Sequence, residues 1–386
     1  MQTLKLLKED ERRACGEFAA ERGREVFLML ESPPDRDFAE SVRLLFRSYQ
    51  EQLRASRLSA ETEVFLRFHL SDIANQAPQL CALLGRRGSR AFVSLIGQES
   101  ASGAKISLEA YHLDTQTPVR FRSHQGRAIS VTHGAYRTMW LGLRPAAAAT
   151  PGEQTAALFD ELTALLASQC MAIPRSLIRT WIYLRDVDVH YRGMVDARRE
   201  LFARHGLTRQ TNYVASTGIE GRSASAADLV CLDALAIEGL RPEQVTYLNA
   251  PENMCPTHDY NVTFERGTRV RYGDRAHHYI SGTASIDRHG QVLFPGDVLR
   301  QAERTLVNIE ALLKNGGARL EHLKQLVVYL RDPSDARRVR GCLQAALPQG
   351  VPMILLRAPV CRPAWLIEIE GIAIQANDDP ALAPFC

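Results

Sequence analysis

The strongest constraint on this chain is that it repeats a pattern. Residues 178–186 (IRTWIYLRD) and 323–332 (LKQLVVYLRD) are apolar, strand-like runs that close on the same Tyr-Leu-Arg-Asp. Each is preceded by a Pro-Gly-acid start, at Pro151 and at Pro295, and then by apolar residues at helical spacing: Leu158, Leu162, Leu165 and Leu166 in one, Leu306, Ile309, Leu312 and Leu313 in the other. Each is followed by a second helical stretch and a closing strand, residues 228–237 and 365–374. A fainter third copy precedes them. It has a helix over 38–53, a strand over 63–72, a second helix over 73–85 and closing strands over 91–98 and 104–113.

The repeated unit is therefore a strand hairpin, a helix, a strand, a second helix and a closing strand, with both helices on one face of a mixed sheet. Closing strands such as LIEIEGIAI alternate apolar with acidic residues, so the second face of the sheet either meets solvent or lines a shared interior. The fold class expected is α+β, with three tandem units packed as a pseudo-trimeric barrel, helices outside and clefts between neighbours. The boundaries read as 1–118, 119–240 and 241–378, followed by a tail over 379–386. A chain of 386 residues divided this way gives units of ordinary domain size.

Composition removes several classes. Hydrophobic residues at 45% and charged residues at 24% exclude a disordered, collagen-like or coiled-coil protein. A net charge of +3 gives no reason to expect a nucleic-acid partner. The eight cysteines are scattered, without a CxxC pair or zinc-ligand spacing, and read as reduced thiols in a cytoplasmic protein. The first thirty residues lack the apolar stretch and cleavage site of a secretory signal, and no later run approaches the ~20 apolar residues of a membrane span. Neither a dinucleotide-binding glycine motif nor a P-loop occurs, so no cofactor is implied.

Divergence between the copies singles out Glu368. It lies between Ile367 and Ile369 and so shares a strand face with Glu370, whereas the sister copy carries Cys231 in the same register. A carboxyl on a partly buried face can have its pKa raised enough to act as a general acid near neutral pH. A solvated strand glutamate is the alternative. Cys361 reads either as a small buried hydrophobe or as part of a cleft wall beside Arg362 and Pro363. Arg266 suits bidentate capture of a carboxylate, or an ordinary surface ion pair. Just before it, Thr257, His258 and Tyr260 form a polar cluster, in which a loop histidine is more often a hydrogen-bonding residue than a catalyst. Tyr213, Ser216, Thr217 and Arg222 occupy a late loop of the second copy, either bordering a cleft or forming a hairpin with its turn at Gly218.

The stretch 277–332 together with 359–374 (PVCRPAWLIEIEGIAI) resembles the Rid (YjgF) superfamily, whose members form trimers with ligand clefts between subunits. A chain of three such units resembles the chorismatase branch. The segment ISGTASI, with Gly282 and Ala284, is similar to a chorismatase strand, and FERGTRV is similar to the segment whose arginine meets a substrate carboxylate, here Arg266. Cys361 lies seven residues before Glu368, as in the chorismatases that make 3-hydroxybenzoate. The resemblance implies cofactor-independent cleavage of chorismate or a related cyclohexadiene acid to pyruvate and a hydroxybenzoate-type product. Glu368 and Cys361 would then be catalytic, and Arg266, Tyr260, Arg362, Tyr213, Thr217, Ala284 and Gly282 would bind substrate. It implies a small carboxylic acid as ligand, no membrane partner, and leaves a homo-oligomer open. The segment APENMCPTHDYNVTFERG departs from the branch. Imine-hydrolysing Rid enzymes carry an arginine fifteen residues before the glutamate; here that register falls on Met353, with Arg357 four residues on. A Rid-type imine or enamine hydrolase and a non-catalytic ligand- or RNA-binding protein are the alternatives.

Overall fold

The computed structural model describes residues 12–87, 89–145, 147–260 and 262–386. It is a mixed α+β structure of three sheets, each with its helices. The first is built from β1 (Arg13–Ala20), β2 (Gly23–Glu31), α1 (Phe38–Ala55), β3 (Glu63–Leu70), α2 (Ile73–Arg87), β4 (Phe92–Gly97) and β6 (Ile106–Thr115), with the two-residue β5 (Glu99–Ser100) leaving it for the third sheet. The second follows with β7 (Arg120–His124), β8 (Ala128–His133), β9 (Tyr136–Leu143), α3 (Pro151–Ala167), α4 (Ile173–Ser176), β10 (Leu177–Leu184), α5 (Val187–Arg204), β11 (Ala215–Glu220) and β12 (Val230–Glu238). The third has β13 (Val245–Tyr247), β14 (Gly267–Arg271), β15 (Arg275–Ala284), α6 (Val298–Asn315), β16 (Leu323–Leu330), α7 (Ala336–Ala346), β17 (Met353–Arg357) and β18 (Ile367–Ala376).

One order of connections recurs. In each sheet the closing strand (β6, β12 or β18) lies antiparallel between the strand that precedes the first helix and the strand that follows it. The strand after the second long helix (β4, β11 or β17) then adds in parallel at the outside of β3, β10 or β16. Such parallel pairing needs a crossover, and the amphipathic α2, α5 and α7 supply it.

Two details of the sequence reading change. α6 starts at Val298, not Pro295: Gly296 takes a left-handed φ of 79°, and Asp297 caps the helix by accepting from the Arg300 amide. α3 does start at its proline, behind a Thr150–Glu153 capping box. The segment read as a late loop with a turn at Gly218 is the strand β11, in register with β10 from Arg179↔Ala215 to Leu184↔Glu220. Its period was masked because the strand is short and carries Ser, Thr and Gly, which read as turn residues.

The faces of the sheets turned away from the helices are buried and mix aromatic and aliphatic residues with charged ones. On the closing strands Glu109, Asp233 and Glu370 occupy one register, opposite Arg67, Trp181 and Val327. All three carboxylates are buried. Arg67 pairs with both Glu109 (3.5 Å) and Asp233 (3.3 Å), and its guanidinium lies over the rings of Phe65 and Trp181. Neighbouring sheets touch through backbone bridges: Gly97↔Arg222 between the first and second, Ala215↔Glu265 between the second and third, and β17 with β5 between the third and first.

Candidate active site

A cavity of about 230 Å³ lies at the seam of the second and third sheets. Glu368 forms part of its lining, near the start of β18. Strand pairing sets Glu368 between Tyr329 of β16 and Ala284 of β15. The small Ala284 side chain leaves the space beside the carboxyl open. β15 bulges between Ile280 and Thr283, and the bulge presents the bare Cα of Gly282 to Glu368. A Cβ on Gly282 would stand 2.1 Å from Oε1 of Glu368, so any side chain there would displace the carboxyl from its present seat.

Glu368 is 6% exposed. Burial pushes its pKa up to about 8; the nearby charge of Glu370 adds to this, and Arg179 and Arg266 oppose it. A carboxyl of that kind holds a proton at neutral pH and can give it up inside a dry site.

The opposite wall comes from α5, whose N-terminus is fixed by Glu220 of β11. The Glu220 carboxylate accepts the amides of Asp186 (3.2 Å) and Val187 (2.6 Å). Three turns along, Arg198 is 2% exposed and points into the cavity. Its Nε donates to the Thr263 hydroxyl at 3.1 Å and its Nη1 to the Ser216 hydroxyl at 3.3 Å, while Nη2 has no hydrogen-bond partner. Desolvation lowers its pKa, and no carboxylate compensates. A buried guanidinium in that state costs several kcal/mol, a cost that an anionic ligand would offset. Sequence reasoning missed Arg198, because ARRELFAR reads as the solvated face of a charged helix.

Arg266 closes the cavity from the third sheet's side, 6% exposed, with Nη2 donating to the Cys255 carbonyl at 3.1 Å and the guanidinium over the Phe264 ring. Cys361 and Arg362 stand on the loop between β17 and β18. The Arg362 guanidinium stacks on Trp365, whose indole N–H donates to the Ser285 carbonyl at 3.1 Å. Arg331 pins the same loop by donating to the Val360 carbonyl (2.5 Å) and to Asp188 of α5 (3.0 Å). The Cys361 thiol is pushed up to about 12, chiefly by burial and then by Glu368, so it is a neutral wall and not a nucleophile.

The structure thus brings Glu368, Cys361, Arg266, Arg362, Gly282 and Ala284 to one cavity. Several other sequence candidates fall elsewhere. Tyr213 lines an adjoining cavity of about 320 Å³ with His258 and Thr257, and its amide donates to Glu265 at 2.7 Å. Thr217 alternates away from the cavity on β11: its hydroxyl donates to Glu370 and accepts from the Gly282 amide at 2.9 Å. The Tyr260 side chain lies outside the described residues. Arg222 pairs with Glu220 (3.7 Å) and Arg357 with Glu99 (3.8 Å), both away from Glu368. Among the described residues no cluster of His, Cys, Asp or Glu could hold a metal, all eight cysteines are free, and no helix is long and apolar enough to cross a membrane.

The chain is similar in sequence and fold to several known proteins. Residues 269–375 match the Endoribonuclease L-PSP family model. A 3-hydroxybenzoate synthase of Streptomyces hygroscopicus is 28% identical over 221 residues, covering 52% of this chain and 64% of that protein. A chorismatase from the same organism is 28% identical over 240 residues, covering 55% of this chain and 67% of its own length. The chain therefore spans about two thirds of these relatives. A chorismatase crystal structure superposes with a TM-score of 0.65 at 19% identity, over 92% of this chain and all of that one.

Proposed function

We propose that the chain, which resembles the chorismatase-like branch of the Rid (YjgF) superfamily, cleaves the enolpyruvyl ether of chorismate or a related cyclohexadiene carboxylic acid. The observation that carries this reading is the pairing of a buried, proton-holding carboxyl with two buried arginines, Arg198 and Arg266, in one cavity. Such a site fits a dianionic substrate that must be protonated without being ionically trapped by the acid. Support from the relatives is similarity of sequence and fold. The three-unit, barrel-like organisation is part of the same proposal, supported by the shared strand order and the three inter-sheet bridges.

In the reaction, Glu368 delivers its proton to the methylene carbon of the enol ether, leaving an oxocarbenium ion at the adjacent carbon. Arg198 and Arg266 each face a carboxylate of the substrate, which fixes the methylene over Glu368 and offsets the burial of both guanidinium groups. Breaking the bond between the ring carbon and the ether oxygen then releases pyruvate, which keeps that oxygen as its carbonyl, and leaves a cation on the ring. Water that adds to the ring cation gives a dihydrodiol acid and returns a proton to Glu368; loss of a ring proton to Glu368 with rearrangement gives a hydroxybenzoate instead, so that the products sum to the substrate. Cys361 and Ala284 border the ring and set the room for either course. Exclusion of water from the seam keeps the cation from indiscriminate capture.

The test is incubation of the purified protein with chorismate, with pyruvate and aromatic acids measured together. Turnover that is abolished in Glu368→Ala supports the reading. No pyruvate, together with hydrolysis of an imine derived from 2-aminoacrylate, would replace it by Rid-type imine hydrolysis.

A further inference from the structure

Glu370 has no place in the cavity, yet it is one of the most heavily hydrogen-bonded carboxylates in the molecule. It accepts from Arg179 Nη2 at 2.7 Å, from the Trp181 indole N–H at 2.8 Å, from the Tyr329 hydroxyl at 3.1 Å and from the Thr217 hydroxyl. Two donors come from β10, one from β16 and one from β11, so strands of both the second and the third sheet converge on it. Its register mates Glu109 and Asp233 share Arg67. Glu370 has Arg179 instead, which also donates to Thr217 at 2.5 Å. Four donors, one of them the Arg179 guanidinium, fix the Glu370 carboxyl in the interior.

Two connections run from Glu370 to Glu368. The first is mechanical: the Thr217 hydroxyl that donates to Glu370 accepts the Gly282 amide, and Gly282 is the bulged residue against which the Glu368 carboxyl rests. The second is electrostatic, since the two side chains lie on one face of β18 two residues apart. The other groups facing Glu368 are Arg179 from β10, Tyr329 from β16, Arg266 ahead of β14, Cys361 and Arg362 from the loop, and Arg198 and Tyr191 from α5.

We propose that Glu370 is a positioning residue of this site. Locked by its four donors, it seats Thr217 and thereby the Gly282 amide beneath Glu368, and its fixed negative charge keeps the Glu368 carboxyl in the protonated, proton-donating form. The proposal rests on Glu368 being the acid, and it adds a division of labour: one carboxyl of the pair moves a proton and the other never does.

The test separates the two connections. Carboxyl ¹³C NMR of the ligand-free, glutamate-labelled protein, assigned with Glu368→Gln and Glu370→Gln, should show one carboxyl ionised throughout and one that keeps its proton past neutrality. In Glu370→Gln the Glu368 titration should fall by at least one pH unit, a tenfold loss of proton affinity, because a charge is removed and Arg179 is left facing Glu368. Thr217→Val should leave that titration in place but lower kcat more than KM changes, with Thr217→Ser restoring it. A Glu370 that is protonated at neutral pH in the unaltered protein overturns the proposal. So does an unmoved Glu368 titration in folded Glu370→Gln, or full kcat in Thr217→Val. The titration is read without substrate, so failure to turn over chorismate would sink the proposed reaction and leave this coupling standing.

Discussion

Raising the pH from about 4.5 to about 8 is expected to remove stability, and raising it further to remove turnover, and both losses trace to Glu368. Its folded-state pKa of about 8 stands against an ordinary value of 4.5, a difference of 8 − 4.5, or about 3.5 units. At ~1.4 kcal/mol per unit, full ionisation of the folded protein forfeits at most roughly 5 kcal/mol relative to the unfolded chain. The sign follows from where the proton is held more tightly. The folded state binds it more strongly, so this contribution is fully present below about pH 4.5 and is progressively lost as pH rises to and through about 8. Because the carboxyl is buried, solvent screening does little to reduce the effect. Urea unfolding of the unaltered protein and of Glu368→Gln, from about pH 5 to about pH 10, isolates it, since the amide cannot ionise. The difference between the two midpoints should grow with pH in favour of the variant and level off above about pH 9. In parallel, chorismate turnover should fall about tenfold per unit once the neutral carboxyl is depleted. Midpoints that run parallel across the range would refute the reasoning, because they would mean that Glu368 ionises at an ordinary pH despite its burial.

Arg198→Met should raise Tm by removing an uncompensated buried cation, while kcat/KM falls on the order of a hundredfold or more, as for other buried charge pairs that lose a partner. Thermal melts and initial rates check both; a lower Tm with unchanged KM would contradict the assignment. Gly282→Ala should fold but displace the Glu368 carboxyl from a contact that would otherwise be 2.1 Å, with activity lost on the order of a hundredfold; a crystal structure of the variant reads the rotation directly. Cys361→Ala enlarges the cavity beside the ring and should change the ratio of dihydrodiol to hydroxybenzoate measured by liquid chromatography. An unchanged ratio would remove Cys361 from product choice.

Much of the fold was legible because helical and strand periods are written in apolar residues. The runs ending in Tyr-Leu-Arg-Asp, the leucine-rich helices and the alternating closing strands all lie where the periods place them. Glu368 was legible for a different reason, as a polar residue that its sister strand replaces with Cys231. What stayed hidden depends on contacts between sheets. Arg198 looks like a surface cation until α5 is packed against the third sheet, and Thr217 looks like a ligand contact until the alternation of β11 turns it toward Glu370. The network of Glu370, Arg179, Trp181 and Tyr329 draws on residues up to 191 positions apart, which no local pattern reveals.

What sets the Glu368 position apart from its counterparts also follows from comparing like positions. Pairing sets Glu368 opposite Ala284 in the third sheet. In the second sheet Leu143 pairs with Leu232, so Arg144, the next residue, stands opposite Cys231. The Arg144 guanidinium crosses to the first sheet, where it donates to the Leu95 carbonyl at 3.2 Å, and it also lies 3.8 Å from Asp233 of its own sheet. In the first sheet Glu31 stands opposite Ser107, and its carboxylate is taken up by Arg340 of α7 at 2.9 Å and by the hydroxyls of Ser100 and Ser102. Two of the three matching positions are thus filled by long charged side chains that tie one sheet to the next, and in neither does an acid face an open wall. The third has alanine, and there the volume vacated by a shorter side chain is where the proton-holding carboxyl meets the unpaired arginine. The same substitution pattern that fills two of the matching positions with interlocking charged side chains therefore leaves, at the third, a cavity in which burial can be used for chemistry instead of for cohesion.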